Sequence, residues 1–241
     1  VLFRSVTVWM PLGGLGGDTF RMALRTFRAV FPHTTIWYMT NQPTHYLLLV
    51  GTLDRLRPDV DAMAAAMQTA TVRADLAEIR LDDPWKVAAS LVLDEDEVAA
   101  LAGDGSVNTD RHPLLEFAAP RLAYRDSLAT NLRAVVAHRQ PRRPRWTGSE
   151  TSLADLEPYL EATPALIEGH ARYQRGTFDY DGALAQYRLA SERNPGDRSV
   201  GALIADVERT REVWLREFEA RTLAGSTDAR DWMSQIGRAH V

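Results

Sequence analysis

The sequence predicts an α/β protein in which the strands come first and the rest of the chain is helical. Two observations support this. Between residues 6 and 51, a short alternating segment, an amphipathic segment and two β-branched or aromatic segments follow one another, as in a strand–helix–strand unit that ends in a hairpin. From residue 53 onward, apolar residues recur at helical spacing. The first segment is therefore predicted to form a sheet edge on which the helices pack.

Composition excludes several classes of protein. The chain has 241 residues, of which 45% are hydrophobic and 25% charged, as in ordinary globular proteins. The net charge of -4 does not favour a nucleic-acid or anionic-membrane partner. Cysteine is absent, which excludes disulfides and thiolate metal sites and fits a reducing compartment. Because no apolar run approaches the roughly 20 residues that span a bilayer, we expect a cytoplasmic chain without membrane contact.

The two ends carry a signature of their own. With suitable codons, VLFRS at the start and QIGRAHV at the end are translations of opposite strands of one common sequencing adapter. Such segments are set aside before fold reasoning. We therefore expect residues 1–5 and 235–241 to be foreign, and the native sequence, from Val6 to Ser234, to be cut at both ends.

The first strand is predicted over Val6–Met10, where apolar residues alternate before Pro11. Glycines crowd Gly13–Gly17 directly before the first helix, an arrangement that can cradle a phosphate. The spacing does not match a nucleotide loop, because Thr19 stands where a third glycine belongs and no Gly-Lys-Ser/Thr follows. The sequence predicts a flexible turn here.

The first helix is predicted to begin with Asp18 as N-cap and to end at Pro32. Its aromatic and aliphatic residues share one face, which indicates a core position rather than a cofactor pocket. The opposite face is predicted to be solvated and carries Arg21, Arg25 and Arg28.

Two further strands are predicted at Thr34–Met39 and Tyr46–Val50, joined by a turn at Asn41–Thr44. The second of them, Tyr-Leu-Leu-Leu-Val, has no polar residue on either side, which predicts burial on both faces. After it, residues 53–103 are predicted to be helical throughout, with a new helix that starts at Asp83-Pro84 and buries Leu91.

Two polar clusters allow a functional interpretation. Asp94–Glu97 could bind a cation, but it lacks the glycine and terminal glutamate of a calcium loop, so helix capping is favoured. In Asn108–Arg121, His112 adjoins Asp110 and Arg111 and could act in acid–base catalysis. Adjacent residues of an extended segment point in different directions, and no serine or cysteine stands beside them, so a structural polar turn is favoured.

Four strings in this order are similar to the C-terminal part of bacterial spermidine synthase-like proteins. They are VTVWMPL, TFRAVFPHTTIWY and LLLVG, all within Val6–Gly51, and NTDRHPLLEFAAPR at Asn108–Arg121. The likeness is greatest to long members with extra helical sequence and often an N-terminal membrane region. The family more often has NTDDRPLLEF in the last string, so His112 departs from it. The loop Asn41–His45 also lacks the aromatic pocket residue that the family usually places between its last two strands.

The resemblance implies a Rossmann-like methyltransferase fold, of which residues 6–51 are the C-terminal remnant. It implies transfer of an aminopropyl group from decarboxylated S-adenosylmethionine to a small-molecule diamine, a step of polyamine biosynthesis. The glycine loop, the ribose-binding acid and the catalytic aspartate of the family all precede this part. The resemblance therefore assigns no catalytic, cofactor-binding or metal-binding residue here, and implies an inactive chain from a longer protein that an N-terminal membrane region could tether.

The predicted domains follow from these observations. Residues 6–137 form the spermidine synthase-like part, with strands within 6–51 and helices over 53–137, the last of them at Leu122–Val136. Residues 138–150 are basic and interrupted by prolines, and without interleaved aromatics they indicate a stiff, solvated linker rather than a nucleic-acid patch.

Residues 151–234 resemble a tetratricopeptide repeat. Its second helix matches Ala183–Ala190 before Asn194-Pro195, its first helix is expected near Leu166–Arg175, and Gly176–Asp181 forms the turn. A covering helix is expected from Val200 to Phe218, ending before Gly225 and Ser226. A single repeat cannot bury its own face, so a protein partner or self-association through this region is expected.

Three functions stay open at this point. The chain is the C-terminal part of an aminopropyltransferase, a non-catalytic protein-interaction scaffold, or part of another S-adenosylmethionine-dependent enzyme of the methyltransferase fold. Closing strands alone do not separate these reactions, because function resides in sites rather than folds.

Overall fold

A computed structural model describes residues 5–122, 127–140, 146–174 and 178–223, without the side chains of 119–122 and 220–223. Within these ranges the protein has four strands and ten helices, which confirms a mixed α and β architecture. The helices are α1 (Gly17–Val30), α2 (Val60–Met67), α3 (Ala70–Glu78), α4 (Pro84–Ala89), α5 (Glu95–Ala102), α6 (Leu114–Leu122), α7 (Leu128–His138), α8 (Glu150–Tyr173), α9 (Tyr180–Arg193) and α10 (Arg198–Leu223).

The strands form one sheet in the order β1-β3-β2-β4, and every neighbouring pair is antiparallel. Since β1 and β2 both run antiparallel to β3, they are parallel to each other, and α1 is the crossover between them. The hairpin strand β3 returns between the two, with Leu49 opposite both Val8 and Ile36. The strands are β1 (Ser5–Pro11), β2 (His33–Trp37), β3 (Tyr46–Thr52) and β4 (Leu91–Leu93).

The fourth strand corrects the prediction that residues 53–103 are helical throughout. Helix α4 ends at Ala89, and Leu91–Leu93 pairs with β2 instead of continuing the helix. All three residues of this strand are buried. Because Asp94 then caps α5 with an extended backbone, the Leu-Val-Leu segment has only three residues between two helices, too few for a helix of its own.

The other strands differ from the predictions in smaller ways. From Leu47 to Val50, the residues of β3 alternate between buried and half-buried, so this strand is fully buried on one face only. The covered face carries Leu47, Leu49 and Gly51. An added Cβ on Gly51 would lie 2.6 Å from Phe31 Cβ, so α1 packs closely on this face. Burial on both faces, as the apolar run predicted, is therefore wrong.

Helix boundaries also differ. Gly16 rather than Asp18 is the N-cap of α1, and Asp18 lies exposed in the first turn, 3.6 Å from Arg21. Leu122 ends α6 and α7 begins at Leu128, while residues 123–126 lie outside the described ranges.

The segment after residue 150 is one long helix rather than a lead-in and a separate repeat helix. Helix α8 continues through Pro158 and Pro164. Proline at position 164 removes the N–H that would bond to the carbonyl of Leu160, and Arg139 Nη2 donates to that carbonyl at 2.8 Å. An arginine of the predicted linker thus compensates the proline.

Helix α8 joins all three hydrophobic cores. Its Ile167 packs in the core between the sheet, α1, α5 and α7. Its Leu156 packs with α2, α4 and Trp146, and its Leu166 packs with α9 and α10. Trp146 is buried, so this residue of the predicted linker is not solvated. The domain boundary at 138–150 stays a prediction, and residues 141–145 lie outside the described ranges, as do Gly225 and Ser226.

Candidate functional site

A cleft of about 460 Å³ lies where α3 and α4 meet the loop between α9 and α10. We call it the junction cleft. Its walls come from segments more than a hundred residues apart in sequence, which the packing of α8 against α4 and α9 brings together. The lining residues are Arg73, Ala77, Arg80, Asp82, Asp83, Lys86, Gly196, Asp197, Arg198 and Ser199.

The floor of the cleft is a buried ion pair. Lys86 Nζ lies 2.6 Å from Asp197 Oδ2, and Lys86 is 1% exposed. The other carboxylate oxygen of Asp197 accepts from the backbone N–H and the hydroxyl of Ser199 at 3.0 and 2.7 Å. Burial lowers the pKa of Lys86, and the Asp197 carboxylate opposes that shift. Asp197 therefore both neutralises the buried lysine and caps the start of α10.

Two further polar pairs connect α8 to the N-terminus of α4 and to the segment after β2. Tyr159 of α8 donates to Asp83, whose other oxygen accepts the N–H of Trp85 at 2.9 Å and caps α4. In the second pair, Tyr38 Oη lies 3.0 Å from Nδ1 of the fully buried His170. Burial, and then the Lys86 charge, lowers the pKa of His170 to about 3, so the imidazole is neutral at pH 7.

The mouth of the cleft has mixed charge. Arg73, Arg80 and Arg198 contribute guanidinium groups, and Asp82 adds a carboxylate beside them. Arg80 reaches across to Asp206 of α10 at 3.1 Å. In the described lining, the one hydroxyl, on Ser199, donates to Asp197 and has no histidine beside it. The arrangement has the character of a polar junction rather than of a nucleophile with its base.

The glycine-rich turn Gly13–Gly17 is held by α7. Asn131 Nδ2 donates to the carbonyls of Leu12 and Leu15 at 2.8 and 2.7 Å, and Asn131 is fully buried. The turn is thus fixed through its carbonyls, where the sequence predicted a flexible one. An anion-binding turn would instead present N–H groups to a ligand.

The arginine face of α1 was predicted to be solvated, and this prediction is wrong for Arg25. Arg25 donates to the carbonyls of Ala102 and Ser106 at 2.7 and 2.9 Å. These carbonyls lie at and beyond the C-terminal end of α5, where a cation also complements the helix dipole. Arg25 therefore ties the loop after α5 to α1.

The two polar clusters have structural roles. Asp94 forms a capping box with Glu97, which confirms the capping interpretation of Asp94–Glu97. Asn108 N–H donates to Thr26 of α1 at 2.8 Å, and Asn108 Oδ1 accepts from Leu115 at the start of α6. His112 is exposed and closes a tight turn with Thr109 through backbone bonds. The turn therefore fastens the returning segment to α1, as favoured above.

In the described part of the chain, no group of three or more His, Asp or Glu side chains could hold a metal ion. The same residues contain no helix that is both long and apolar enough to cross a membrane. Comparison of the chain with protein-family models, curated proteins and solved structures finds no match.

Sequence reasoning missed the residues that form this junction. Lys86 and Asp197 are 111 positions apart, and Tyr38 and His170 are 132 apart. Neither pair belongs to a local motif, so only the packing of α8 could reveal them.

Proposed function

We propose that this chain is the closing part of a spermidine synthase-like aminopropyltransferase whose catalytic residues lie in sequence before it. The observation that supports the proposal is the topology of β1, α1, β2 and β3, a crossover followed by a hairpin strand that returns between the two parallel strands. The resemblance implies the same arrangement for the closing edge of the methyltransferase fold, and this agreement supports the proposal.

The four strings that carry the resemblance also meet in space. Three of them supply β1, the end of α1 with β2, and β3. The fourth begins at Asn108, which bonds to Thr26 of the second string. The fourth string, far from the others in the chain, thus packs with them around α1. This supports the interpretation that all four strings belong to one domain.

The described residues of the glycine turn do not fit decarboxylated S-adenosylmethionine. The glycine turn at the end of β1 has its carbonyls engaged by Asn131, and its acid, Asp18, pairs with Arg21 on the surface. No step of the reaction is therefore assigned to the residues that the structure describes. In the longer protein, the diamine nitrogen would form a bond to the aminopropyl carbon as the carbon–sulfur bond breaks, and a base upstream would take the proton.

The test compares the 241-residue chain with the product of the longer reading frame. Each is supplied with decarboxylated S-adenosylmethionine and putrescine, and spermidine is measured. We expect the longer protein to form it and the 241-residue chain to form none. Turnover by the shorter chain would contradict an upstream catalytic site. A longer protein that binds S-adenosylmethionine but not its decarboxylated form would instead favour a methyltransferase.

A protein-interaction scaffold is the second candidate, and the distal end of α10 favours it. There Trp214 stacks on Phe218 with ring centroids 5.5 Å apart, and Tyr180 of α9 lies 6.2 Å from Trp214. Val213, beside this cluster, is 51% exposed. A longer reading frame without a nucleotide-binding glycine loop would support the scaffold over the enzyme.

A further inference from the structure

Two arginines at the mouth of the junction cleft have no partner. Within the described ranges, the guanidinium groups of Arg73 and Arg198 form no ion pair or hydrogen bond. They come from different walls, Arg73 from α3 and Arg198 from the start of α10. Like charges at the mouth of one cleft repel each other, so an anion between them would stabilise both.

Arg80 occupies a position where glycine is favoured. It follows α3 with a φ of 59°, and two bonds, from Leu81 N to Leu76 O at 2.8 Å and from Arg80 N to Ala77 O at 3.1 Å, form a Schellman motif. Glycine adopts this left-handed conformation without strain, whereas a residue with a Cβ does not. Arg80 lines the cleft together with Arg73 and Ala77 of α3. An arginine at this position therefore favours a role for the guanidinium group itself.

The floor of the cleft has unused hydrogen-bond donors. Lys86 is 1% exposed, and in the described part of the chain its ammonium has one acceptor, Asp197 Oδ2, for three N–H groups. The carboxylates of the floor are already engaged, Asp197 by Lys86 and Ser199, and Asp83 as the cap of α4. The remaining N–H groups of Lys86 are therefore available to an anion that enters from the mouth.

These groups fit a phosphate monoester. Guanidinium groups bind phosphate oxygens through paired N–H donors. The cleft volume of about 460 Å³ exceeds that of a phosphate group and lies within the roughly 300–1,000 Å³ of small-molecule sites, so it also has room for an organic part. Of the lining carboxylates that the structure describes, Asp82 alone has no partner. It can accept a hydrogen bond from a hydroxyl of that organic part.

We propose that the junction cleft binds a small phosphate monoester. The phosphoryl group lies between Arg73, Arg80 and Arg198, above the ammonium of Lys86. A hydroxyl of the organic part donates to Asp82. The inference does not rest on the proposed function, because none of the lining residues belongs to the four strings that carry the resemblance.

The test is isothermal titration calorimetry of the 241-residue chain with inorganic phosphate, glucose 6-phosphate and glucose at low salt. We expect both phosphates to bind, glucose 6-phosphate more tightly, and glucose not to bind. Arg73→Gln and Arg198→Gln should each weaken phosphate binding at least about tenfold, because each removes charge-assisted hydrogen bonds. Arg111→Gln, which removes an exposed arginine outside the cleft lining, is the matched control and should leave binding unchanged.

Two further variants separate binding from folding and from overall charge. Arg80→Gly places the favoured residue after α3 and loses only a half-exposed ion pair with Asp206, so the melting temperature should not fall while phosphate binding weakens. Asp82→Asn removes the one unpaired carboxylate of the described lining. It should tighten the binding of inorganic phosphate, since a repulsive charge is lost, and reduce the preference for glucose 6-phosphate.

A folded wild-type chain that binds neither phosphate overturns the inference. So does phosphate binding that persists in Arg73→Gln/Arg198→Gln, that is unchanged in Arg80→Gly, or that falls as far in Arg111→Gln, because the anion must then use another surface. Equal or weaker binding of glucose 6-phosphate overturns the assignment of a monoester with a hydroxyl at Asp82. Circular dichroism checks that each variant folds. Failure of these titrations leaves the enzyme assay of the longer protein unaffected, so the two proposals fail separately.

Discussion

Replacing Lys86 by methionine is the sharpest test of the junction cleft. Methionine keeps the unbranched apolar stem but leaves the Asp197 carboxylate buried without its cation, and that side chain is 3% exposed. Breaking a buried pair in this way typically costs about 3–5 kcal/mol. For a chain of this size, that corresponds to a fall in melting temperature of roughly 6–20 °C. Urea unfolding at pH 7, followed by far-UV circular dichroism, measures the free energy of unfolding directly.

Two variants control this experiment. Arg188→Met breaks the ion pair with Glu208, which also joins two helices but is more than half exposed on both sides, and it should cost less than about 1 kcal/mol. The double variant Lys86→Met/Asp197→Asn removes the charge and keeps an oxygen that can accept from Ser199. It should recover most of the stability lost in the single variant.

The reasoning is refuted if Lys86→Met costs no more than Arg188→Met. It is also refuted if the double variant is as unstable as the single one, because the loss would then come from packing rather than from an unpaired buried charge. A large loss that the double variant relieves would show that burial of Asp197 sets the cost.

Further predictions concern pH, packing and the glycine turn. Because His170 has a pKa of about 3 in the folded chain and an ordinary pKa in the unfolded chain, protons bind preferentially to the unfolded chain. The stabilising contribution is therefore full above about pH 6.5, and the free energy of unfolding should fall by about 1.4 kcal/mol per pH unit below that. Urea titrations of His170→Gln should lack this slope. A Cβ at Gly169 would lie 2.3 Å from the Tyr187 ring, so Gly169→Ala should destabilise by about 1–3 kcal/mol in thermal melts. Gly201→Ala, a helical control with open space around it, should instead stabilise by about 0.5–1 kcal/mol. Asn131→Ala removes the side-chain bond to the Leu15 carbonyl and leaves the Leu12 carbonyl with the Ser127 hydroxyl at 3.3 Å, so it should cost about 1–3 kcal/mol in urea unfolding.

Sequence patterns predict a helix, strand or turn correctly where neighbouring residues alone determine which one forms. The apolar stripe of α1 and the turn residues before β3 fix those elements within a few positions. Asp94 was predicted as a capping acid because an acidic first turn is favourable wherever the helix lies. In β4, by contrast, Leu91–Leu93 has the composition of a helix or a strand, and only pairing with β2 decides between them. Tertiary context overrides propensity in such short apolar segments.

The candidate site could not be predicted, because it depends on contacts between distant segments. Lys86 occurs in a short helix where any lysine would be expected to reach solvent. Its burial follows from the position of Asp197 at the start of α10, which the long helix α8 determines. The sequence predicts two separate helices in place of α8, so the prediction lacks the helix that packs against α4 and α9 and brings the two sides of the cleft together.

The continuity of α8 bears on the choice between enzyme and scaffold. An independent scaffold would bury its apolar faces within its own helices, as stacked repeats do. Here α8 places Ile167 and Ala171 in the core beneath the sheet, and its His170 bonds to Tyr38, just beyond β2. The opposite side of the same helix supports α9, where Gly169 allows the ring of Tyr187 to approach. Since α8 serves both cores, α9 and α10 are anchored to the rest of the fold through a helix that also packs beneath the sheet. This arrangement differs from that of an independent stack of repeats.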